Sequence, residues 1–212
     1  MGLSAIRQAG LSKARIEALT DGIFATVMTV LVLGLRSPAT NLSEGDLKSQ
    51  IFQLWPNILA YAFSFVVLGL YWIGHHNQFH YIKQTDRIFL WINIIFLLTI
   101  GFIPFSTSLI GEYPFSPTVV RLYGANLAAT GLALNGVWWY ATRNHHLVDK
   151  DLDPHIISLG QRRTIVGPIV CFIGLGFSYV DPRVSLVLYL LLIPFFMRPS
   201  HLDIHFRGDS HS

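Results

Sequence analysis

From Ile88 to Ile110 the chain carries no charged residue. A run of that length spans the roughly 30 Å hydrocarbon core of a bilayer as one helix. Lipid offers no partner to a backbone N–H or C=O, so the segment must pair its own, as a helix does. Five more apolar stretches recur, from about Glu17 to Leu35, Leu54 to Gly74, Thr118 to Thr142, Thr164 to Val180 and Val184 to Met197. Between them lie Arg36-Ser37-Pro38 and a polar loop with Asn41, Glu44, Asp46 and Lys48. A charged, His-bearing loop runs from Arg143 to Arg163, and Asp181-Pro182-Arg183 makes a tight turn. The last stretch is short, so the fifth and sixth read as a hairpin. The chain is 13% charged, about half the share of a soluble domain. The expectation is an all-α polytopic membrane protein, six transmembrane helices in a single domain over 1–212. Neither a repeat nor a cleavable leader is visible, and Cys171 reads as a small buried hydrophobe.

Six spans place both termini on one side, and the positive-inside rule says which. With the N-terminus cytoplasmic, the inner segments hold Arg7, Lys13, Arg15, Lys83, Arg87, Arg143, Lys150, Arg162, Arg163, Arg198 and Arg207. The outer segments hold only Arg36, Lys48, Arg121 and Arg183. That bias predicts a multi-pass protein of the plasma (inner) membrane with cytoplasmic termini. The net charge of +3 then reflects topology rather than nucleic-acid binding.

The first span is the most informative. Ionisable residues at membrane depth are costly and mark function by default, and Asp21 lies there. Measured from Thr26, Gly22, Val30 and Leu33 fall within about 40° on a helical wheel and Thr29 within about 60°. Asp21 lies about 140° away, on the flank of Ala25, Met28 and Val32. The small and hydroxyl-bearing stripe suits close helix packing or a pore wall. Elsewhere at membrane depth stand Trp72, His75 and His76, then Asn93, Asn126 and Asn135. Buried polar groups require partners, and His75 or Asn93 is the expected partner of Asp21. Adjacent His pairs at 75–76 and 145–146 point apart, without HExxH or a Cys partner, so no metal and no cofactor is expected. Nucleophile elbows, phosphate-cradling loops and paired intramembrane carboxylates are missing, so an enzyme is not expected. The TVGYG filter of ordinary potassium channels is also absent.

The stretch Arg15-x-x-x-Leu19-Thr20-Asp21-Gly22 resembles the Arg-x-x-x-Phe-Ser-Asp signature of the transmembrane protein 175 family, which are potassium-permeable channels. The resemblance continues through Trp72-x-x-His75-His76, Asp86-Arg87 with Asn93, and Pro104-Phe105-x-x-x-Leu109-x-Gly111-Glu112-Tyr113, covering about residues 13–142. It implies a homotetramer in which the first helix of each subunit surrounds a central pore. The family's aliphatic constrictions match Thr26, Val30 and Leu33, and a threonine implicated in potassium preference matches Thr29. A structural hydrogen-bond network carries over to Arg15, Thr20, Asp21, Trp72, His75 and Asn93. Leu19-Thr20 replaces Phe-Ser and keeps the hydroxyl. Thr26 replaces an aliphatic residue, and a hydroxyl ring wets more readily than an aliphatic one. The implied function is a weakly selective potassium channel whose partners are itself, the bilayer and permeant potassium or other monovalent cations. Two alternatives are a proton-coupled secondary transporter using Asp21 and His75, and a non-conducting membrane scaffold.

Overall fold

The computed structural model describes residues 12–40 and 42–198. Arg7, Asn41 and Arg207, used above for topology, lie outside the described residues, as do the three C-terminal histidines. The described chain is helical: α1 (Lys13–Val30) tightens into a 3-10 segment (Leu31–Gly34), followed by α2 (Glu44–Gln53), α3 (Trp55–Tyr81), α4 (Arg87–Glu112), α5 (Pro117–Thr142), α6 (Pro154–Phe177) and α7 (Pro182–Met197). Among the described residues, four helices are long and apolar enough to cross a membrane: Lys13–Gly34, Trp55–Tyr81, Arg87–Glu112 and Pro154–Phe177. Helix α7 is apolar but shorter. Helix α5 has the length, and its polar Asn126, Thr130 and Asn135 keep it out of that set. The chain is thus a multi-pass membrane protein.

Three boundaries differ from the sequence expectation. The loop after Arg36 contains α2, because Ser43 caps it, its hydroxyl accepting from the Asp46 N–H at 3.2 Å. The second span runs on to Tyr81, so His75 and His76 lie within the helix rather than ending it. The fifth span begins at Pro154, ten residues before Thr164, and stops at Phe177. Asp153 caps that start, accepting from the His155 N–H at 2.8 Å, and Pro154 occupies a first-turn site where its missing N–H costs nothing. The polar turn that looked like loop is tolerated because it is paired: Asn135 donates to the Thr164 hydroxyl at 2.8 Å and accepts from Gln161 at 3.0 Å.

Two apolar clusters hold the helices together. One joins α1 to α3 and α4 through Ile16, Phe24, Val27 and Leu31 against Leu68, Phe96, Ile100 and Ile103. The other joins α3 and α5 to α6 and α7 through Val67, Tyr123, Leu127, Cys171 and Tyr189. In lipid this packing is held by dispersion and shape rather than by escape from water, so small residues matter. A Cβ added at Gly131 of α5 would meet Pro168 Cγ of α6 at 2.7 Å, so that position lets the two helices touch.

Asp86 ties the α4 start to the segment after α5. Its Oδ1 accepts from the Phe89 N–H at 2.8 Å, and its Oδ2 accepts from Tyr140 Oη at 2.8 Å. His146 Nε2 also lies 2.8 Å from that Oδ2. Partial burial pushes the Asp86 carboxyl up, but the bonds from Phe89, His146 and Tyr140 together outweigh it and hold it below its ordinary value. A lowered folded-state value means stability present above the unfolded value and lost as pH falls through the folded one. Asp86→Ala is therefore expected to lower stability by about 1–2 kcal/mol at neutral pH, chiefly through the lost cap. The difference from wild type should shrink below about pH 4, where the carboxyl protonates in the unfolded chain and then in the folded one. Thermal unfolding in detergent at pH 7 and pH 3 measures both effects.

Candidate pore helix and its anchoring network

Helix α1 presents three arcs. One is covered by its own subunit: Ile16, Thr20, Phe24 and Val27 are buried, with Leu31 following in the 3-10 turn. A second holds Gly22, Thr26, Thr29, Val30 and Leu33, all exposed, Leu33 at 75%. The third carries Asp21, Ala25 and Val32, exposed as well, with Met28 at its edge half-buried. Asp21 does lie off the Thr26 arc, as the wheel placed it, but not among the residues its own subunit covers.

The hydroxyls on the second arc are turned back on their own helix. Thr26 Oγ1 donates to the Gly22 carbonyl at 2.8 Å. Thr29 Oγ1 lies 2.7 Å from the Thr26 carbonyl and 3.1 Å from that of Ala25. Such back-bonding fixes the rotamer and bends or tightens a helix locally. The 3-10 turn at Leu31–Gly34 follows directly.

Behind α1 runs a buried line of bonds. Asn93 Nδ2 donates to Thr20 Oγ1 at 3.3 Å, and Asn93 Oδ1 accepts from His75 Nε2 at 2.9 Å. Because that amide oxygen can only accept, His75 carries its proton on Nε2. All three residues are buried, and the imidazole stacks between Phe79 and Phe96 at centroid distances of 4.2 and 5.4 Å. The line joins α1, α3 and α4 where lipid could not replace any partner.

Asp21 departs from the expectation that His75 or Asn93 would hold it. Its Oδ1 accepts from Trp72 Nε1 at 2.8 Å, and its side chain is exposed in the subunit. The reason is angular: Thr20 and Asp21 are neighbours about 100° apart, so only one of them can face α4. Trp72 in turn stacks on His76 at 5.5 Å. Arg15 is exposed, and the Thr20–Asn93–His75 line does not reach it. Of the expected network, the structure joins Thr20, Asn93 and His75 in one line and Asp21 with Trp72 in another, and leaves Arg15 outside both.

Two acidic residues, Glu44 and Glu112, are compensated by basic partners. Glu112 pairs with Arg36 at 3.1 Å, and Glu44 with Lys48 at 3.6 Å. Sequence reading missed the Arg36–Glu112 pair, which links the chain just past α1 to the end of α4. With six spans, the chain after the first and the end of the third fall on the same side of the membrane, which was the available signal. Among the described residues, no three His, Cys, Asp or Glu side chains come together as a metal site.

Comparison with known proteins identifies the family. The family model for the endosomal/lysosomal potassium channel TMEM175 matches residues 15–104, from the start of α1 to Pro104 of α4. A potassium channel of Streptomyces collinus is 30% identical over 182 residues, spanning 84% of this chain and 88% of its own. A potassium channel of Chamaesiphon minutus is 30% identical over 189 residues, spanning 87% and 93%. The crystal structure of a lysosomal potassium-selective channel TMEM175 homolog from Chamaesiphon minutus superposes with a TM-score of 0.78 at 27% identity, covering 89% of this chain and 97% of that one. With the family model matched over residues 15–104 and relatives 30% identical across most of both chains, the chain belongs to the TMEM175 family.

Proposed function

We propose that this chain forms a homotetrameric, weakly selective potassium channel in the plasma membrane, with α1 of each subunit lining a central pore. The observation that carries the reading is the uncovered surface of α1. Its apolar arc is packed to completion, with Phe24 at 2% exposure, while Gly22, Thr26, Thr29, Val30 and Leu33 face outward together. Small and hydroxyl-bearing residues suit a helix–helix seam or a water-filled axis better than lipid. Cyclic symmetry places one such arc from every copy around a shared axis. The third arc, with Asp21 and Ala25, would then meet the neighbouring subunit, and exposed Arg15 lies within reach of that seam. Six spans (α1, α3, α4, α5, α6 and α7) with cytoplasmic termini agree with the excess of basic residues on one side.

No charged ring is available on the pore arc, so the pore would hold cations weakly and pass them by partial dehydration. Potassium sheds water more readily than sodium, and the Thr29 hydroxyl ring supplies oxygen in its place. Val30 and Leu33 would form the aliphatic constriction, with Thr26 wetting the pore below it. A proton-coupled carrier through Asp21 and His75 draws no support from the geometry, because Trp72 holds the first and Asn93 the second.

Purified tetramer in liposomes with a potassium gradient tests the proposal. Flux above empty liposomes is expected, and its absence in protein shown to be tetrameric would sink the idea. Thr29→Val should lower the potassium-over-sodium permeability ratio by about threefold or more, the scale of one lost hydroxyl contact per subunit. The reversal potential under bi-ionic conditions reads it, and an unchanged value removes Thr29 from the selectivity site.

A further inference from the structure

A cavity of about 410 Å³ lies between α3, α5, α6 and α7, away from the α1 arcs. It is long rather than round. On α3 its wall runs from Val67 through Gly74 and Gln78 to Tyr81, one helix face covering about 21 Å at 1.5 Å per residue. Val67, Leu127 and Leu192 make one end aliphatic. Tyr81 and Trp138 stand at the other, meeting edge-on at 6.1 Å near the ends of α3 and α5. Aromatic rings of this kind mark the level at which helices leave the apolar layer.

Several polar groups on these walls are committed to the protein itself. Tyr71 Oη donates to the Leu127 carbonyl at 2.8 Å, Trp138 Nε1 to the Ile157 carbonyl at 3.0 Å, and Thr164 Oγ1 to the Gly160 carbonyl at 3.0 Å. Gln78 is committed at one end. Its Nε2 donates to the Leu134 carbonyl at 3.2 Å. A carbonyl only accepts, so the amide nitrogen must be the end that faces it. Oε1 is therefore the other end, and among the described residues it accepts from nothing. Gln78 is 6% exposed, and a buried acceptor left without a donor is costly. A bridging water needs about two to four polar partners, and Gly74 and Leu134 beside Gln78 offer it no polar side chain.

We propose that this cavity binds an uncharged single-chain lipid with a terminal hydroxyl, of the long-chain alcohol class, the hydroxyl donating to Gln78 Oε1 and the chain lying along the α3 wall toward Val67. From Gln78 to Val67 that wall covers about 16 Å, and its far end is aliphatic. The hydroxyl then sits about one turn inside the end of α3, and the chain points into the apolar layer, as a lipid lies in its own leaflet. A donor is required because Oε1 can only accept, so an ether or ester oxygen gives it nothing. The inference is independent of ion conduction.

Native mass spectrometry of the purified full-length protein in detergent tests it, with dodecanol titrated against dodecyl methyl ether. The two share a chain, and only the alcohol can donate. The wild type should retain the alcohol roughly tenfold better, the scale of one hydrogen bond to a buried acceptor that is otherwise unmet. Gln78→Leu removes the acceptor and should bring alcohol retention down to that of the ether, with the ether unchanged. Gln78→Met serves if that variant does not fold. Leu70→Trp, on the same wall, should fill the cavity and remove retention of both, with Leu192→Phe in its place if it does not fold. Size exclusion and thermal unfolding establish the fold of each variant. Equal retention of alcohol and ether by the wild type, the result if water alone meets Gln78, overturns the proposal. So does a preference that survives in a folded Gln78 variant, or retention that survives a folded cavity-filling one.

Discussion

If α1 lines the proposed pore, Val30→Trp is expected to reduce potassium flux to the background of empty liposomes while leaving the proposed tetramer intact. Val30 stands at 39% exposure on the outward arc of α1 and is not among the buried residues of either apolar cluster, so an indole there points away from the subunit's core. Substitutions away from the core usually stay within about 0.5 kcal/mol. If four copies of that arc surround the axis, four indoles replace four isopropyl groups at one level and leave no room for an ion. Flux should be read beside the elution volume of the same preparation. Wild-type flux through a folded Val30→Trp tetramer would take Val30 out of the conduction path and send the search to another face of the helix.

Asn93→Leu carries the largest expected cost in stability, about 2–5 kcal/mol. Asn93 bonds to His75 and Thr20 at once, and leucine leaves the imidazole N–H without an acceptor, clamped between two aromatic rings. Lipid cannot substitute for the lost partner. Thermal unfolding in detergent should show the loss as an early, broadened transition. Asp21→Ala gives the contrast, because Asp21 is exposed and holds only Trp72. The subunit should unfold at nearly its normal temperature, while size exclusion shows fewer tetramers. If both variants unfolded alike and stayed tetrameric, the division of α1 into a face for its own subunit and a face for its neighbour would be wrong.

Much of this was open to reading from composition and spacing. Runs such as Ile88–Ile110 announce themselves because a bilayer demands length and apolarity together. The separation of Asp21 from Thr26 followed from helical arithmetic alone. What escaped depended on partners from elsewhere in the chain. Gln161 and Arg162 looked like loop until α5 supplied Asn135 to hold that turn in helical register. The polar stretch after Arg36 hid a helix because Ser43 decides it locally, whereas its apolar residues are too few to be read as a face. The partner of Asp21 was misassigned because both candidates, His75 and Asn93, lay at about its depth, and depth does not say which neighbour a side chain faces. Trp72 was placed in the same network, but not as the partner of Asp21.

The hydroxyls of Thr26 and Thr29 have a consequence beyond wetting. Each proton is committed to a carbonyl of its own helix, so the outward surface of the side chain can accept but cannot donate. A ring assembled from such groups offers lone pairs to a cation and nothing to chloride. It would sort ions by the sign of their charge without carrying any charge itself. Free of fixed carboxylates, it would keep that preference across a pH range in which an acidic ring would be titrated away.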